Sequence, residues 1–401
     1  MRTTMAAGLG ALALADLVLF AMRLRSLLQD GTLAVTTGLE EPVILHVWLA
    51  RMGLPVYEPT DGAGSLPLYN WLFYASFGHV ARLFEDGPES ILRFGRLFNG
   101  LLAAAGAAVH FLLARRVLAR CGLHLPAALI AAVVLPAWIG SGLIRWFALT
   151  VRPDAAAVLF ASLGMLLYAH GALREGRSSV PAILGAGVAF WAAWAFKQSV
   201  VLLLAGCLLD AALSRRPARI LALVVPFAVL VAGTFATLGD SYARLLLAAP
   251  AVSPFTPDQA VHVLPRALIP PLFYWIVPAA WLLTRTRSAD GLPPPVAWLV
   301  RCAAVSFAGA CVLSLRQGAY VYYFWEAMTA CTVLVCVALA ALPRSRVFAV
   351  AAGAGLAVTL GASAVQLVAP GRTSRIDLLS AERAAAVEER IRAVRSLPRP
   401  L

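Results

Sequence analysis

The chain has 401 residues, of which 61% are hydrophobic and 13% are charged, and its mean hydropathy is +0.81. Soluble domains have about a quarter of their residues charged, so this composition excludes a water-soluble fold and predicts an all-α polytopic membrane protein. The net charge of +13 comes almost entirely from arginines between apolar runs. That pattern is typical of short membrane loops and argues against nucleic acid as a partner.

Eleven apolar runs predict about eleven transmembrane helices, because a span needs about 20 mostly apolar residues. Their approximate ranges are 5–22, 94–113, 124–144, 154–171, 180–196, 199–214, 219–238, 269–284, 295–314, 324–342 and 347–368. No small-residue cleavage site and soluble domain follow the first run, so we expect it to be a membrane anchor.

Arginine clusters in alternate loops predict the orientation of the chain. They are Arg115, Arg116 and Arg120; Arg174 and Arg177; Arg215, Arg216 and Arg219; Arg285 and Arg287; and Arg344 and Arg346. Short basic loops favour the cytoplasm, so the N-terminus should be inside and the 29–92 segment external. Arg23 and Arg25 follow the first span and argue the other way, but five later loops agree.

The 29–92 segment is too polar to cross the membrane and too apolar for a plain linker. Two stretches in it predict amphipathic interfacial helices, from Glu40 to Met52 and from Leu66 to Phe84. In the second, Trp71, Tyr74 and Phe77 fall at helical spacing. An ordinary interfacial aromatic belt explains the same pattern.

Several ionisable residues lie at the predicted outer ends of the spans. They are Glu40, Glu41, Arg145, Arg152, Asp154, Lys197, Arg316 and Glu326. Charges at the bilayer are costly, so their collection at one surface suggests a site for a charged, lipid-linked substrate.

Lys197 is the only lysine in the chain and lies between two apolar runs. A compact ammonium suits a phosphate differently from an arginine fork, so its use here suggests a binding role. The alternative is a lysine that marks a helix end at the interface. In Arg152–Pro153–Asp154, capping of a helix explains the proline and the aspartate but not the arginine.

The order of these motifs resembles the C-superfamily (GT-C) glycosyltransferases, in particular the bacterial aminoarabinose, galacturonic acid and protein mannosyl transferases (glycosyltransferase family 39). The motifs are Glu40–Glu41–Pro42, Pro55–Val56–Tyr57, Pro67–Leu68–Tyr69–Asn70–Trp71, Arg96, Arg152–Pro153–Asp154 and Phe196–Lys197–Gln198. The resemblance covers residues 1–215; the later half agrees in hydropathy and in the stretch from Gly318 to Tyr323.

The resemblance implies transfer of a sugar from a polyprenyl-phosphate donor to an acceptor hydroxyl at the external or periplasmic face. The implied acceptor is a glycan, a lipid or a protein. Glu40 matches the family's catalytic carboxylate, with Glu41 beside it. The family more often has aspartate then glutamate, so the choice of base between the two stays open. The implied substrate-binding residues are Lys197, Asp154, Arg152, Gln198, Tyr57, Arg96 and Tyr323.

No cofactor beyond the lipid-linked donor is implied, although Glu40, Glu41 and Asp154 together are compatible with a divalent metal. We expect a transmembrane domain over 1–368 and a short external amphipathic tail over 369–401. A transporter or flippase-type protein is the alternative function. Transporters tend to have repeated halves, and neither the Glu–Glu nor the Lys–Gln motif recurs in the second half.

The predicted orientation can be tested by cysteine labelling. A cysteine introduced as Gly62→Cys should react with a membrane-impermeant maleimide in intact cells, because the arginine pattern makes residues 29–92 external. A cysteine introduced as Arg216→Cys should react only after permeabilisation. Protection of position 62 in intact cells would contradict the orientation.

Overall fold

The all-α fold is confirmed by a computed structural model, which describes residues 2–29, 41–57, 67–83, 88–140, 145–173, 179–251, 254–285, 291–316, 319–341, 345–368 and 389. Within these ranges the only β pairing is an isolated bridge between Phe255 and Arg316. Glu40 and nearly all of the predicted 369–401 tail lie outside the described residues.

Fourteen α-helices fall within the described part of the chain. They are α1 (Arg2–Gln29), α2 (Glu41–Met52), α3 (Trp71–Arg82), α4 (Pro88–Arg120), α5 (Ala127–Ile139), α6 (Asp154–Ala172), α7 (Val180–Phe196), α8 (Leu202–Leu213), α9 (Pro217–Ala251), α10 (Pro257–Leu268), α11 (Leu272–Arg285), α12 (Pro294–Ser314), α13 (Trp325–Ala341) and α14 (Arg346–Val368). Two 3₁₀ helices, Arg145–Ala148 and Val321–Phe324, precede α6 and α13.

The protein is a multi-pass membrane protein. Among the described residues, seven helices are long and apolar enough to cross a membrane: α1, α4, α6, α9, α12, α14, and α13 taken with its preceding 3₁₀ turn. The bent pair α10 and α11 makes an eighth if it counts as one span. Three of the eleven predicted spans correspond to the shorter apolar helices α5, α7 and α8, so the count of eleven stays a prediction.

The segment after residue 238 contains structure that the hydropathy pattern did not predict. Helix α9 continues to Ala251 through a break at Gly239, whose φ of 74° lies in the left-handed region that favours glycine. Helix α10 follows, in a stretch where the sequence predicts no span, and its axis is bent by 80° from that of α11. The predicted span 269–284 is therefore the 14-residue helix α11 preceded by a sharp turn.

The two helices predicted between the first and second spans are present as α2 and α3. Helix α3 begins at Trp71 with Asn70 as its N-cap, and the Asn70 side chain accepts the Trp71 N–H. Its aromatic face is buried against the protein, where Phe77 contacts Phe98 of α4 with ring centroids 5.1 Å apart. Burial of these rings fixes α3 on the helix bundle.

Helix α13 lies at the centre of the bundle, with nearly every side chain buried. It contacts α4, α5, α11 and α12. At the bundle periphery, α1 pairs with α14 through polar groups within the two helices. Ser363 donates to the Asp16 carboxylate at 2.8 Å, and Arg23 donates to the Gln366 side-chain oxygen at 2.5 Å. Such pairs satisfy polar groups that lipid cannot.

Helices α2 and α3 approach closely at Gly78. A Cβ placed there would lie 2.8 Å from the backbone nitrogen of Arg51 and 2.9 Å from the Ala50 Cβ. Gly78→Ala should therefore push the helices apart and destabilise the protein by about 1–3 kcal/mol. The change is measured as a lower thermal unfolding midpoint in detergent.

Gly353→Ala is the matched control, because Gly353 lies inside α14 and a Cβ there has no neighbour within 4 Å. It should leave the midpoint unchanged or slightly raised, since alanine favours a helix. Equal midpoints for the two variants would show that the α2–α3 contact is not tight.

Candidate functional site

The Asp154 carboxylate lies between two cations. Asp154 is the first residue of α6, and Lys197 directly follows the last residue of α7. The Lys197 Nζ is 2.5 Å from Asp154 Oδ1, and the Arg152 Nε is 3.0 Å from Asp154 Oδ2. The structure thus brings three predicted site residues into direct contact.

All three charged side chains are buried, with 4% of Arg152, 2% of Asp154 and 5% of Lys197 exposed. Buried charges are stable only when they are paired and hydrogen-bonded. Two cations contact one carboxylate here. An ammonium carries three donors, so Lys197 can contact Asp154 and also donate to a further anion.

Aromatic faces surround the two cations. The Lys197 Nζ is 3.5 Å from the ring centroid of Tyr322. The Arg152 guanidinium carbon is 5.4 Å from the Tyr69 centroid, 5.0 Å from that of Phe147 and 5.2 Å from that of Tyr322. The negative face of an aromatic ring attracts a cation, so these rings stabilise the cations where water is excluded.

The segment that bears Tyr69 is held by two predicted site residues. The Tyr57 hydroxyl donates to the Tyr69 carbonyl at 2.7 Å, and the Gln198 side-chain amide donates to the Leu68 carbonyl at 3.0 Å. Gln198 immediately follows Lys197. Tyr57 and Gln198 therefore support the ring beside the cations rather than contacting Asp154.

Asn70 links this segment to α7 and α9. Its side-chain nitrogen donates to the Trp194 carbonyl at 2.9 Å, and its oxygen accepts from the Tyr242 hydroxyl. Tyr242 lies beyond the Gly239 break in α9. The break thus lets the second part of α9 turn toward α3 and reach the segment before it.

Arg96 is buried in α4, and its neighbour Gly95 lies against Val151, where an added Cβ would be 3.0 Å from the Val151 side chain. On the same helix, the Asn99 side chain donates to the carbonyls of Phe147 and Thr150, each at 2.7 Å. Tyr323 is farther out, with its ring centroid 5.7 Å from the Lys197 Nζ. Both predicted residues therefore lie around the cluster.

The predicted acidic pair is only partly described. Glu41 is the first residue of α2, and its side chain, like all of Glu40, lies outside the described residues. Helix α2 packs on α3, where the His46 and Tyr74 ring centroids are 5.5 Å apart. Within the described ranges, no three His, Cys, Asp or Glu residues are grouped as for a metal ion.

Sequence reasoning missed three aromatic contacts of the cluster. Tyr322 was passed over in favour of its neighbour Tyr323, and Phe147 had no distinguishing signal. Tyr69 was noted only as part of a motif. A usable signal existed for Tyr322, since three tyrosines crowd between residues 320 and 323. Which ring faces Lys197 depends on the 3₁₀ helix Val321–Phe324.

The membrane-spanning bundle, with α2 and α3 between its first two spans, is similar in fold to a solved membrane protein. The crystal structure of ArnT from Cupriavidus metallidurans in the apo state is similar, with a TM-score of 0.52, 16% identity, and coverage of 93% of this chain and 75% of ArnT. At that identity the likeness establishes the fold. No protein-family model and no curated protein matches the sequence.

The environment of Lys197 predicts an unusual titration. Burial lowers the pKa of Lys197 from 10.5 to about 8, although the Asp154 carboxylate opposes the shift. The ammonium is thus present below pH 8 and lost as the pH rises through it. The rate of acylation of Lys197, followed by mass spectrometry, should rise with a midpoint near pH 8.

Asp154→Asn removes the carboxylate that raises the pKa, so its midpoint should fall below that of the wild type. A lysine introduced as Arg216→Lys, at an exposed position, serves as the reference and should titrate near the ordinary value. A wild-type midpoint close to that of the reference lysine would contradict the described burial.

Proposed function

We propose that this protein is a membrane glycosyltransferase that moves a hexose or pentose from a polyprenyl-phosphate donor to an acceptor hydroxyl at the external face of the membrane. The observation that supports it most is the buried cluster of Arg152, Asp154 and Lys197 in an ArnT-like fold. The acceptor is a glycan, a lipid or a protein.

The two cations suit the phosphate of the donor. Cleavage of the bond between the anomeric carbon and the phosphate oxygen leaves negative charge on the departing polyprenyl phosphate. Cations fixed in a low-dielectric site stabilise such charge with little reorganisation. Lys197 offers a point charge and Arg152 a planar fork, so together they bind several phosphate oxygens.

Asp154 holds the cations in place before the donor arrives. Without it, two like charges would be buried side by side, at a cost of several kcal/mol per ion. A phosphate that approaches Lys197 enters a position where an anion is already favoured. Asp154 is thus a substrate-site residue that orients the cations, not the proton acceptor.

The proton acceptor in this proposal is Glu40 or Glu41. The acceptor hydroxyl loses a proton as it attacks the anomeric carbon, and a carboxylate near the membrane surface suits a general base. Adjacent residues on a helix diverge by about 100°, so only one of the two points into a given cavity. Inverting displacement needs one such carboxylate beside the nucleophile. A divalent metal bound by these carboxylates is compatible with the mechanism.

The phosphate site is tested by binding of undecaprenyl phosphate to protein in nanodiscs. Lys197→Ala should weaken binding at least tenfold, because a charge-assisted contact is lost. Lys197→Arg should restore it only in part, since the larger fork does not fit a compact ammonium site. Undecaprenol, which lacks the phosphate, is the control ligand, and its binding should be unaffected.

The base is tested by transfer from a polyprenyl-phosphate sugar to its acceptor. Glu40→Gln keeps the shape and removes proton acceptance, so it should lower turnover about 10²–10⁴-fold while the donor still binds. Glu41→Gln should be milder if the neighbours point apart. The reverse result moves the role to Glu41. Full transfer with both glutamates replaced would contradict the proposal that either is the base, and would favour a transporter or flippase-type protein.

A further inference from the structure

Helix α8 begins without a local cap. Its N-cap residue is Val201, which makes no side-chain capping bond. The first N–H groups of a helix need partners, and Glu326 on α13 supplies one. Its carboxylate accepts the Leu203 N–H at 3.0 Å. A side chain from another helix therefore caps α8.

Glu326 lies beside the candidate site on two sides. It is the second residue of α13 and follows the 3₁₀ helix Val321–Phe324, which contains Tyr322. On its other side, Glu326 caps α8, and α8 follows the short loop that begins at Lys197. Within that loop the Val200 N–H donates to the Lys197 carbonyl at 3.0 Å. Glu326 thus joins the chain bearing Tyr322 to the chain bearing Lys197.

Capping alone does not account for a buried glutamate. Serine, threonine or aspartate at position 201 would cap α8 locally without an ionisable group from a distant helix. Glu326 is only 4% exposed, and burial of a carboxylate is costly. The arrangement therefore does more than end a helix.

We propose that Glu326 is a positioning residue for Lys197. It fixes the start of α8 against α13, and so holds the Lys197 ammonium against Asp154 and the Tyr322 ring. The effect on donor phosphate rests on the proposed function; the effect on Lys197 itself does not.

The single lysine makes the test specific. In nanodiscs at pH 9, where the Lys197 amine is mostly neutral, its acylation rate reports on access and can be read from one peptide by mass spectrometry. Undecaprenyl phosphate affinity is measured on the same variants at pH 7, where the Lys197 ammonium is present. The variants are Glu326→Ala, which removes the acceptor, and Glu326→Gln, which keeps an oxygen acceptor without the charge.

Asp210→Asn is the matched control. Asp210, like Glu326, is a buried carboxylate, and it lies near the C-terminal end of α8. There it accepts from the Tyr168 hydroxyl at 2.8 Å and pairs with Arg301. The Asp210→Asn substitution should loosen the packing of α8 at the end that is far from the Lys197 loop. A general loss of helix packing would affect this control as much as Glu326→Ala.

Glu326→Ala should raise the acylation rate of Lys197 about tenfold and weaken undecaprenyl phosphate binding by a similar factor, as expected for residues coupled through shared contacts. Glu326→Gln should stay close to the wild type in both measurements, and Asp210→Asn should change neither. In a Lys197→Ala background, Glu326→Ala should have little further effect on binding, because the group it positions is gone.

A wild-type acylation rate in Glu326→Ala, or an equal rise in Asp210→Asn, would overturn the inference. So would a Glu326→Gln protein as reactive as Glu326→Ala. If Lys197→Ala binds undecaprenyl phosphate like the wild type, the proposed phosphate site fails, and the acylation rates still decide whether Glu326 positions Lys197.

Discussion

The contact of Asp154 with Lys197 and Arg152 is the constraint around which this end of the helix bundle is arranged. A carboxylate and two cations can be buried together only if each is held at hydrogen-bonding distance, since small displacements leave a charge without compensation. The segment around Tyr69, the 3₁₀ helix bearing Tyr322, and the ends of α6 and α7 all meet here. Asn70 and Gln198 hold the segment around Tyr69 against α7 and the loop after it, and Tyr57 holds the Tyr69 carbonyl.

At this cluster, orienting the charged groups in advance lowers the stability of the fold, because buried charges are costly. Apolar residues in place of the trio would remove the cost of burying charge, as replacement of buried ion pairs in other proteins indicates. The protein instead surrounds the cations with aromatic rings and orients them in advance. Such an arrangement is reasonable where a charged group must be bound without reorganisation of the site.

The sequence alone predicted the membrane fold, and it named Arg152, Asp154 and Lys197 among the candidate site residues, for one physical reason. Ionisable groups next to apolar runs are rare and costly, so Lys197 and Asp154 stood out. Tyr322 and Phe147 did not, because aromatic rings are common near membrane interfaces and their orientation depends on 3₁₀ geometry. Helix α10 was missed because it is too polar to register as a span. The break at Gly239 depends on a backbone angle that hydropathy does not report.

The pairing of α1 with α14 has a consequence for biosynthesis. Asp16 enters the membrane with the first helix, whereas its partner Ser363 is 347 positions later in the chain. Translation proceeds from the N-terminus at about 5–20 residues per second, so α1 resides in the bilayer for many seconds before its final neighbour exists. During that interval the Asp16 carboxylate depends on other contacts, on water or on the insertion machinery. The bundle is thus completed late in synthesis. Substitutions in α14 should therefore impair the packing of α1 as well as that of α14 itself.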